Sequence, residues 1–315
     1  MLTRIAAFAI AAAVVVAPLQ RHGSAPPPGR PIILLVHGRG LLDRDTAGLR
    51  RLWQQAIESG GRAYTRGQLL SDGDGRRVWY ADILDPSSMA SCDRDTRRAD
   101  GSSENAELRS FASAVGGVLS LITTLIDDRD QSVELRSLAG DLEFVANSRK
   151  RCAVGARLTS AIDSARRQGR PVILVAHSLG SVVAYDALAS AKDAPPVERL
   201  VTVGAIVGAP GMRQLLLGGA LDDTLRIPTS VKSWVNVRRP GDPFATPLSR
   251  SIIPQRDGRL VRDVLTEAPE TTDAAEAHDV VGYLRDAVAA RAILSAWCGA
   301  FADKAPSGCK DIPKE

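Results

Sequence analysis

The stretch Ala176-His177-Ser178-Leu179-Gly180 carries the clearest chemical potential in this sequence. Its serine lies between an apolar run, PVILVA, and a helix-like one, SVVAYDALA, with small residues two positions to either side. That is the layout of a strand-to-helix turn presenting a nucleophile. The turn is so tight that Ala176 and Gly180 must be small, because larger side chains would collide with neighbouring backbone. Ser178 then stands at a helix N-terminus, where backbone N–H groups favour developing negative charge. A serine hydroxyl is a weak nucleophile at neutral pH. It needs a base, and the base needs an orienting carboxylate.

Four histidines are available. His22 lies close behind the apolar N-terminus, His177 adjoins the serine with its ring expected to turn away, and His37 belongs to the loop after the first strand. Elimination leaves His278, in Glu276-Ala-His-Asp-Val-Val-Gly-Tyr283, as the base. The acid should follow a strand between serine and histidine, and Asp242, in SWVNVRRPGDPFA, does so. Asp222, Asp223, Asp257 and Asp263 are rivals: the first two precede that strand, and Asp263 lies inside RLVRDVLTE. An Asp between Gly and Pro is also a good turn former. A tetrahedral oxyanion needs two donors, and the N–H of Leu179 supplies one. For the other the choice is Arg39 N–H, in the loop His37-Gly38-Arg39-Gly40, where Gly38 and Gly40 let the backbone turn its amides inward.

These residues need a frame. PIILLV (31–36), PVILVA (171–176) and LVTVGAIV (200–207) are continuous apolar runs, the pattern of strands buried on both faces. Val78 to Leu84 and Val231 to Arg238 are weaker members of the set. Helix-length segments lie between them, at Ala47–Ser59, Val154–Gln168 and Ser181–Ser190. Alternation of this kind predicts an α/β fold, a mostly parallel sheet of about 5–7 strands with helices on both faces. Residues 91–152 break the rhythm with a charged stretch followed by a 16-residue apolar run, Phe111 to Ile126. Long insertions in such folds are often lids. A helical lid or cap is therefore expected here, with the apolar run packed on the body or facing substrate.

The N-terminus reads as a signal peptide, residues 1–25: a positive start at Arg4, a 13-residue apolar run from Ile5 to Ala17, then Pro18. The run is short for a membrane span, which needs about 20 residues. Residues 26–315 form the expected mature domain, periplasmic or extracellular, with an uncleaved N-terminal anchor as the other outcome. Export makes disulfides plausible. Of the three ways to pair four cysteines, Cys92 with Cys152 and Cys298 with Cys309 is the expected one, although sequence does not decide among them.

Other chemistries have little support. Lys+Arg 40 against Asp+Glu 36 leaves +4 in a chain with 4% aromatics, and the bases are scattered, which disfavours a nucleic-acid partner. No CxxC, GxGxxG or GxxxxGK[ST] occurs, so no metal and no cofactor is expected. Asp72-Gly-Asp74-Gly looks like the start of a calcium loop, but Ile83 stands where the twelfth-position Glu belongs. A polar turn is the expectation. Trp79, Trp234 and Trp297 read as core.

Taken together, HG after the first long strand, AHSLGSVVAYDAL, the Asp242 loop and AHDVVGYL resemble the α/β-hydrolase fold family, in its bacterial lipase and esterase-like branch. The resemblance covers about Arg30 to Leu294, apart from residues 91–152. It implies a Ser178–Asp242–His278 triad, a covalent acyl-enzyme, no cofactor and a cap that governs substrate choice. A small-molecule or lipid ester is the expected substrate, and peripheral contact at a membrane or lipid interface is a further option. Little chain precedes the first HG strand, so the sheet should be smaller than the family's common eight. The competing readings are a non-catalytic hydrolase-like binding protein and a membrane-associated interaction protein. Nothing in the sequence sets the oligomeric state.

Overall fold

The structure is a computed structural model, describing residues 29–38, 46–85, 87–92, 143–191, 193–216, 224–255, 257–302 and 304–314. The expected signal peptide, Arg39 and Gly40, the rivals Asp222 and Asp223, and most of the expected insertion (93–142) lie outside them.

Among the described residues the strands are β1 (Ile32–Val36), β2 (Gly75–Val78), β3 (Val172–His177), β4 (Arg199–Val203), β5 (Leu225–Arg226), β6 (Trp234–Arg238), β7 (Ile252–Ile253) and β8 (Val261–Leu265). Six of them form one all-parallel sheet in the order β2-β1-β3-β4-β6-β8. The short β5 and β7 pair with each other. The helices are α1 (Thr46–Gly61), α2 (Ala81–Leu84), α3 (Ser148–Arg167), α4 (Leu179–Ser190), α5 (Pro210–Leu216), α6 (Ala274–His278), α7 (Val280–Arg285) and α8 (Ala287–Gly299).

Period-two alternation along the strands divides the core. Ile32, Leu34 and Val36 of β1, with Val172 and Leu174 of β3, face Leu158 and Ile162 of α3 and Val182 and Val183 of α4. Ile33, Leu35, Ile173 and Val175 face the opposite way, onto Trp53 and Ile57 of α1 and Ile293, Leu294 and Trp297 of α8. Both faces are covered, which is why the strands read as unbroken apolar runs. The fold class is α/β, in three layers.

Strand order reverses between β1 and β3, since β2 lies outside β1 while the later strands extend beyond β3. In an open parallel sheet, this reversal leaves a crevice at the carboxyl ends of the two strands, the usual place for a ligand. Gly38 follows β1 and Ser178 follows β3, so they face each other across it.

Several elements differ from expectation. Val78 to Leu84 is not one strand: β2 ends at Val78 and Ala81–Leu84 is helical. Tyr80 turns the chain off the ladder because its ring stacks on His37 at 4.1 Å and its hydroxyl donates to the His37 carbonyl at 2.6 Å. Leu200 to Val207 stops as a strand at Val203, because Gly204 takes φ +55°. RLVRDVLTE contains the edge strand β8, whose middle residues are only partly buried, and that explains its charged character. Helix α3 starts inside the expected insertion, with Asn147 as its cap accepting from Lys150 N–H at 3.1 Å. Trp234 and Trp297 are core, but Trp79 is half-buried, with the Arg77 guanidinium 4.2 Å from its ring.

The cysteines pair as Cys92–Cys152 and Cys298–Cys309, with Cα separations of 5.6 and 5.5 Å. The first bond ties the chain after α2 to α3 across 60 residues. By chain entropy a loop of that length constrains the unfolded state by about 4 kcal/mol. The second fastens the short 3-10 turn Ser307–Asp311 to α8. No described helix is long and apolar enough to cross a membrane.

Candidate active site

Every described member of the predicted constellation lies at the carboxyl edge of the sheet: Gly38 after β1, Ser178 after β3, Asp242 after β6 and His278 after β8. Ser178 has φ 52° and ψ −124°, and among the described residues it is the only non-glycine residue with positive φ. An L-residue avoids this region, so the sharp turn from β3 into α4 holds its serine in a strained backbone. The strain is enforced by packing. A Cβ on Gly180 would lie 2.5 Å from the His37 carbonyl oxygen, and one on Gly38 would lie 2.8 Å from the Ser178 Cβ. The loop after β1 and the start of α4 can approach this closely only as glycines.

The Ser178 side chain caps nothing in α4, although Ser178 is the N-cap residue. Its Oγ is 2.9 Å from His278 Nε2 instead. On the other side of the ring, Nδ1 is 2.9 Å from Asp242 Oδ2 and 3.1 Å from Oδ1. All three residues are buried. Asp242 also accepts from Phe244 N–H at 2.9 Å and from the Tyr283 hydroxyl at 2.6 Å. Burial pushes the Asp242 carboxyl up, but the His278, Tyr283 and Phe244 donors outweigh burial and hold it below the usual carboxylate range. Asp242 is therefore a carboxylate, and His278 carries its proton on Nδ1. The Nε2 lone pair then points at the Ser178 hydroxyl and can take its proton.

Short capped helices bring His278 here. Asp273 caps α6, Asp279 caps α7 and Asp286 caps α8, and His278 is the last residue before the α6–α7 break. His177 fixes the His278 backbone, its Nε2–H donating to the His278 carbonyl at 2.9 Å. His37 donates from Nδ1 to the Gly38 carbonyl at 2.7 Å, setting the loop beside Ser178. Leu179 opens α4, so its N–H has no carbonyl one turn back to bond.

The remaining rivals for the acid are engaged elsewhere. Asp263 accepts from Asn236, Leu248 N–H and Ser249 N–H at 2.6, 3.0 and 2.9 Å, which secures the loop after β6. Asp257 pairs with Arg259 at 2.7 Å. Asp74, from the calcium-like stretch, is buried against Arg30 at 2.6 Å and Arg170 at 3.4 Å. Among the described residues no cluster could hold a metal ion.

Two participants escaped the sequence reading. Tyr283 sits inside the quoted AHDVVGYL, but nothing in spacing tells a packed tyrosine from one bonded to the acid. Gly204, ending β4, brings its backbone against the His278–Asp242 pair, where a Cβ would lie 3.1 Å from the His278 ring. A strand run that continued in apolar residues gave no sign of it.

Burial pushes His37 and His177 down to about 3, so both rings stay neutral. The unfolded chain protonates them near 6.5 and the folded chain does not. Stability from these two groups is fully present above that value and is lost as pH falls toward 3. Urea unfolding is expected to show a loss of about 1.6 kcal/mol for each histidine between pH 6.5 and pH 5. A His177→Gln variant should lose one of these increments; a stability profile identical to that of the parent would contradict the assignment.

No family model and no curated protein matches the sequence. Among solved structures, an uncharacterized protein from Pseudomonas aeruginosa is similar over 88% of this chain, at 14% identity and a TM-score of 0.33. This chain spans 47% of that protein's length. A likeness of that degree says nothing of chemistry.

Proposed function

We propose that the protein is an exported serine hydrolase that cleaves carboxylic esters, small or lipidic, in the manner of the lipase and esterase-like α/β-hydrolases its motifs resemble. The observation that carries this reading is the unbroken chain from Ser178 Oγ through His278 to Asp242, set on a strained turn at the strand-order reversal. A structural serine would have no need of a positive φ, and a capping one would bond its own helix.

In this mechanism Ser178 Oγ attacks the ester carbonyl while His278 Nε2 takes the hydroxyl proton. Asp242 stabilises the resulting imidazolium, and the oxyanion is met by Leu179 N–H and by Arg39 N–H, the second assigned from sequence alone. Collapse breaks the acyl–oxygen bond, and the leaving alkoxide receives the proton from His278. Water then attacks the acyl-Ser178 ester with His278 again as base, releasing the acid and restoring the hydroxyl. Export is supported by the apolar N-terminal run and the two disulfides.

Chromogenic esters of acetate, butyrate and octanoate test the reading. Saturable hydrolysis of at least one, with a rapid first release of alcohol equal to the enzyme present, is the expected result. Folded protein that leaves the whole series intact, with and without detergent micelles, would overturn it.

A further inference from the structure

We propose that Tyr283 is a positioning residue of this site, whose hydroxyl fixes the Asp242 carboxylate against His278 and shares its charge. It thereby sets how fast Ser178 is activated. The inference rests on the serine hydrolase reading and assigns a role to a residue which that reading leaves out.

Proton counting makes the contact directional. Arg239 N–H lies 2.9 Å from the Tyr283 oxygen, and an amide nitrogen can only donate. The phenol's single hydrogen must therefore go to Asp242 Oδ2, 2.6 Å away. The ring is completely buried, and burial together with the neighbouring carboxylate raises the phenol far above its ordinary value. Tyr283 thus keeps its proton and remains a donor to Asp242. A short bond to a carboxylate is charge-assisted and stronger than a neutral one. Oδ2 is also the oxygen nearer His278 Nδ1, so phenol and imidazole share one atom's charge. With Phe244 N–H on Oδ1, donors on both oxygens fix the plane of the carboxylate.

The other groups around His278 leave this pair in control. Arg239, in the loop after β6, directs its guanidinium to the Glu276 carbonyl at 2.8 Å and the Glu276 carboxylate at 3.2 Å. Asp279 caps α7 through Gly282 N–H at 2.6 Å. His177 is neutral and faces the His278 carbonyl, Phe244 meets the ring edge-on, and the Ser178 hydroxyl donates to Nε2. Asp242 is the one charged group bonded to the imidazole among the described residues.

Tyr283→Phe keeps the ring and removes the donor. The readouts are the rate of covalent labelling by a fluorophosphonate across pH and the low-field proton resonance of His278 Nδ1–H. The expected result is labelling slower by about ten- to a hundredfold near neutral pH, through the maximal rate rather than probe affinity. The resonance should move, because Asp242 Oδ2 loses one of its two donors and Nδ1–H then meets more of its charge. Site-specific 3-fluorotyrosine at 283 keeps packing and strengthens the donor, so it should move the resonance the opposite way, and it serves should the phenylalanine variant fold poorly. An unchanged labelling rate and an unmoved resonance in either variant would overturn the role and leave Tyr283 as packing alone. Absence of labelling in the parent protein would instead defeat the hydrolase reading, and the resonance, which needs no turnover, would still decide the Tyr283 contact.

Discussion

Replacing Ser178 by Ala is expected to lower ester turnover by about 10⁵- to 10⁶-fold while leaving the protein folded. The activity loss follows because the neighbouring hydroxyl is engaged elsewhere: the Ser181 side chain donates to the Ser178 carbonyl at 2.6 Å and accepts from Ile206 N–H at 3.2 Å. The fold should survive because the Ser178 side chain caps no helix and, among the described residues, bonds only to His278. Backbone strain at φ 52° is the same for alanine as for serine. Turnover of the best chromogenic ester, set beside thermal midpoints of the two proteins, is the check. Turnover within about tenfold of the parent would remove Ser178 from the chemistry.

Asp242→Asn should cost about 10⁴-fold in turnover, less than loss of the serine. The carboxylate accepts from three donors at once: His278 Nδ1–H, Tyr283 O–H and Phe244 N–H. An asparagine has one acceptor oxygen and must turn its amide hydrogens toward one of them. With that amide facing Nδ1, the imidazole moves its proton to Nε2, and the Ser178 hydroxyl then meets a donor where it needs a base. Uniform binding is untouched, so the loss should fall on kcat and leave KM nearly unchanged. Part of the lost rate should return at high pH, where hydroxide can replace the base. A loss of less than about tenfold, or one confined to KM, would mean that Asp242 is structural.

Much of this was legible in the sequence for physical reasons. A parallel sheet covered on both faces produces continuous apolar strands, so β1, β3 and β4 stood out and β6 was a weaker member of the set, and the turn at Ser178 declared itself through the small residues its geometry demands. With four histidines in the chain, elimination could reach His278. Where local pattern and tertiary contact disagreed, sequence was a poorer guide. Val78 to Leu84 has a strand-like composition, yet Tyr80 leaves the ladder to stack on His37. Edge strand β8 is half-exposed, so its Arg262 and Asp263 masked it. Asp242 and Asp263 could be ranked only by their position in the chain, and the donors each accepts from separate their roles. Tyr283 and Gly204 were silent, since a contact 41 residues distant in the chain, as between Tyr283 and Asp242, leaves no local signature.

The most direct test of the central claim is fluorophosphonate labelling of the protein, with the modified residue located by peptide mass spectrometry. An activated Ser178 predicts one phosphonyl group per chain, on the peptide containing AHSLG, formed by native protein and absent from heat-denatured protein and from Ser178→Ala. Native, folded protein that stays unlabelled with and without detergent micelles, or that labels equally well in Ser178→Ala, would contradict it.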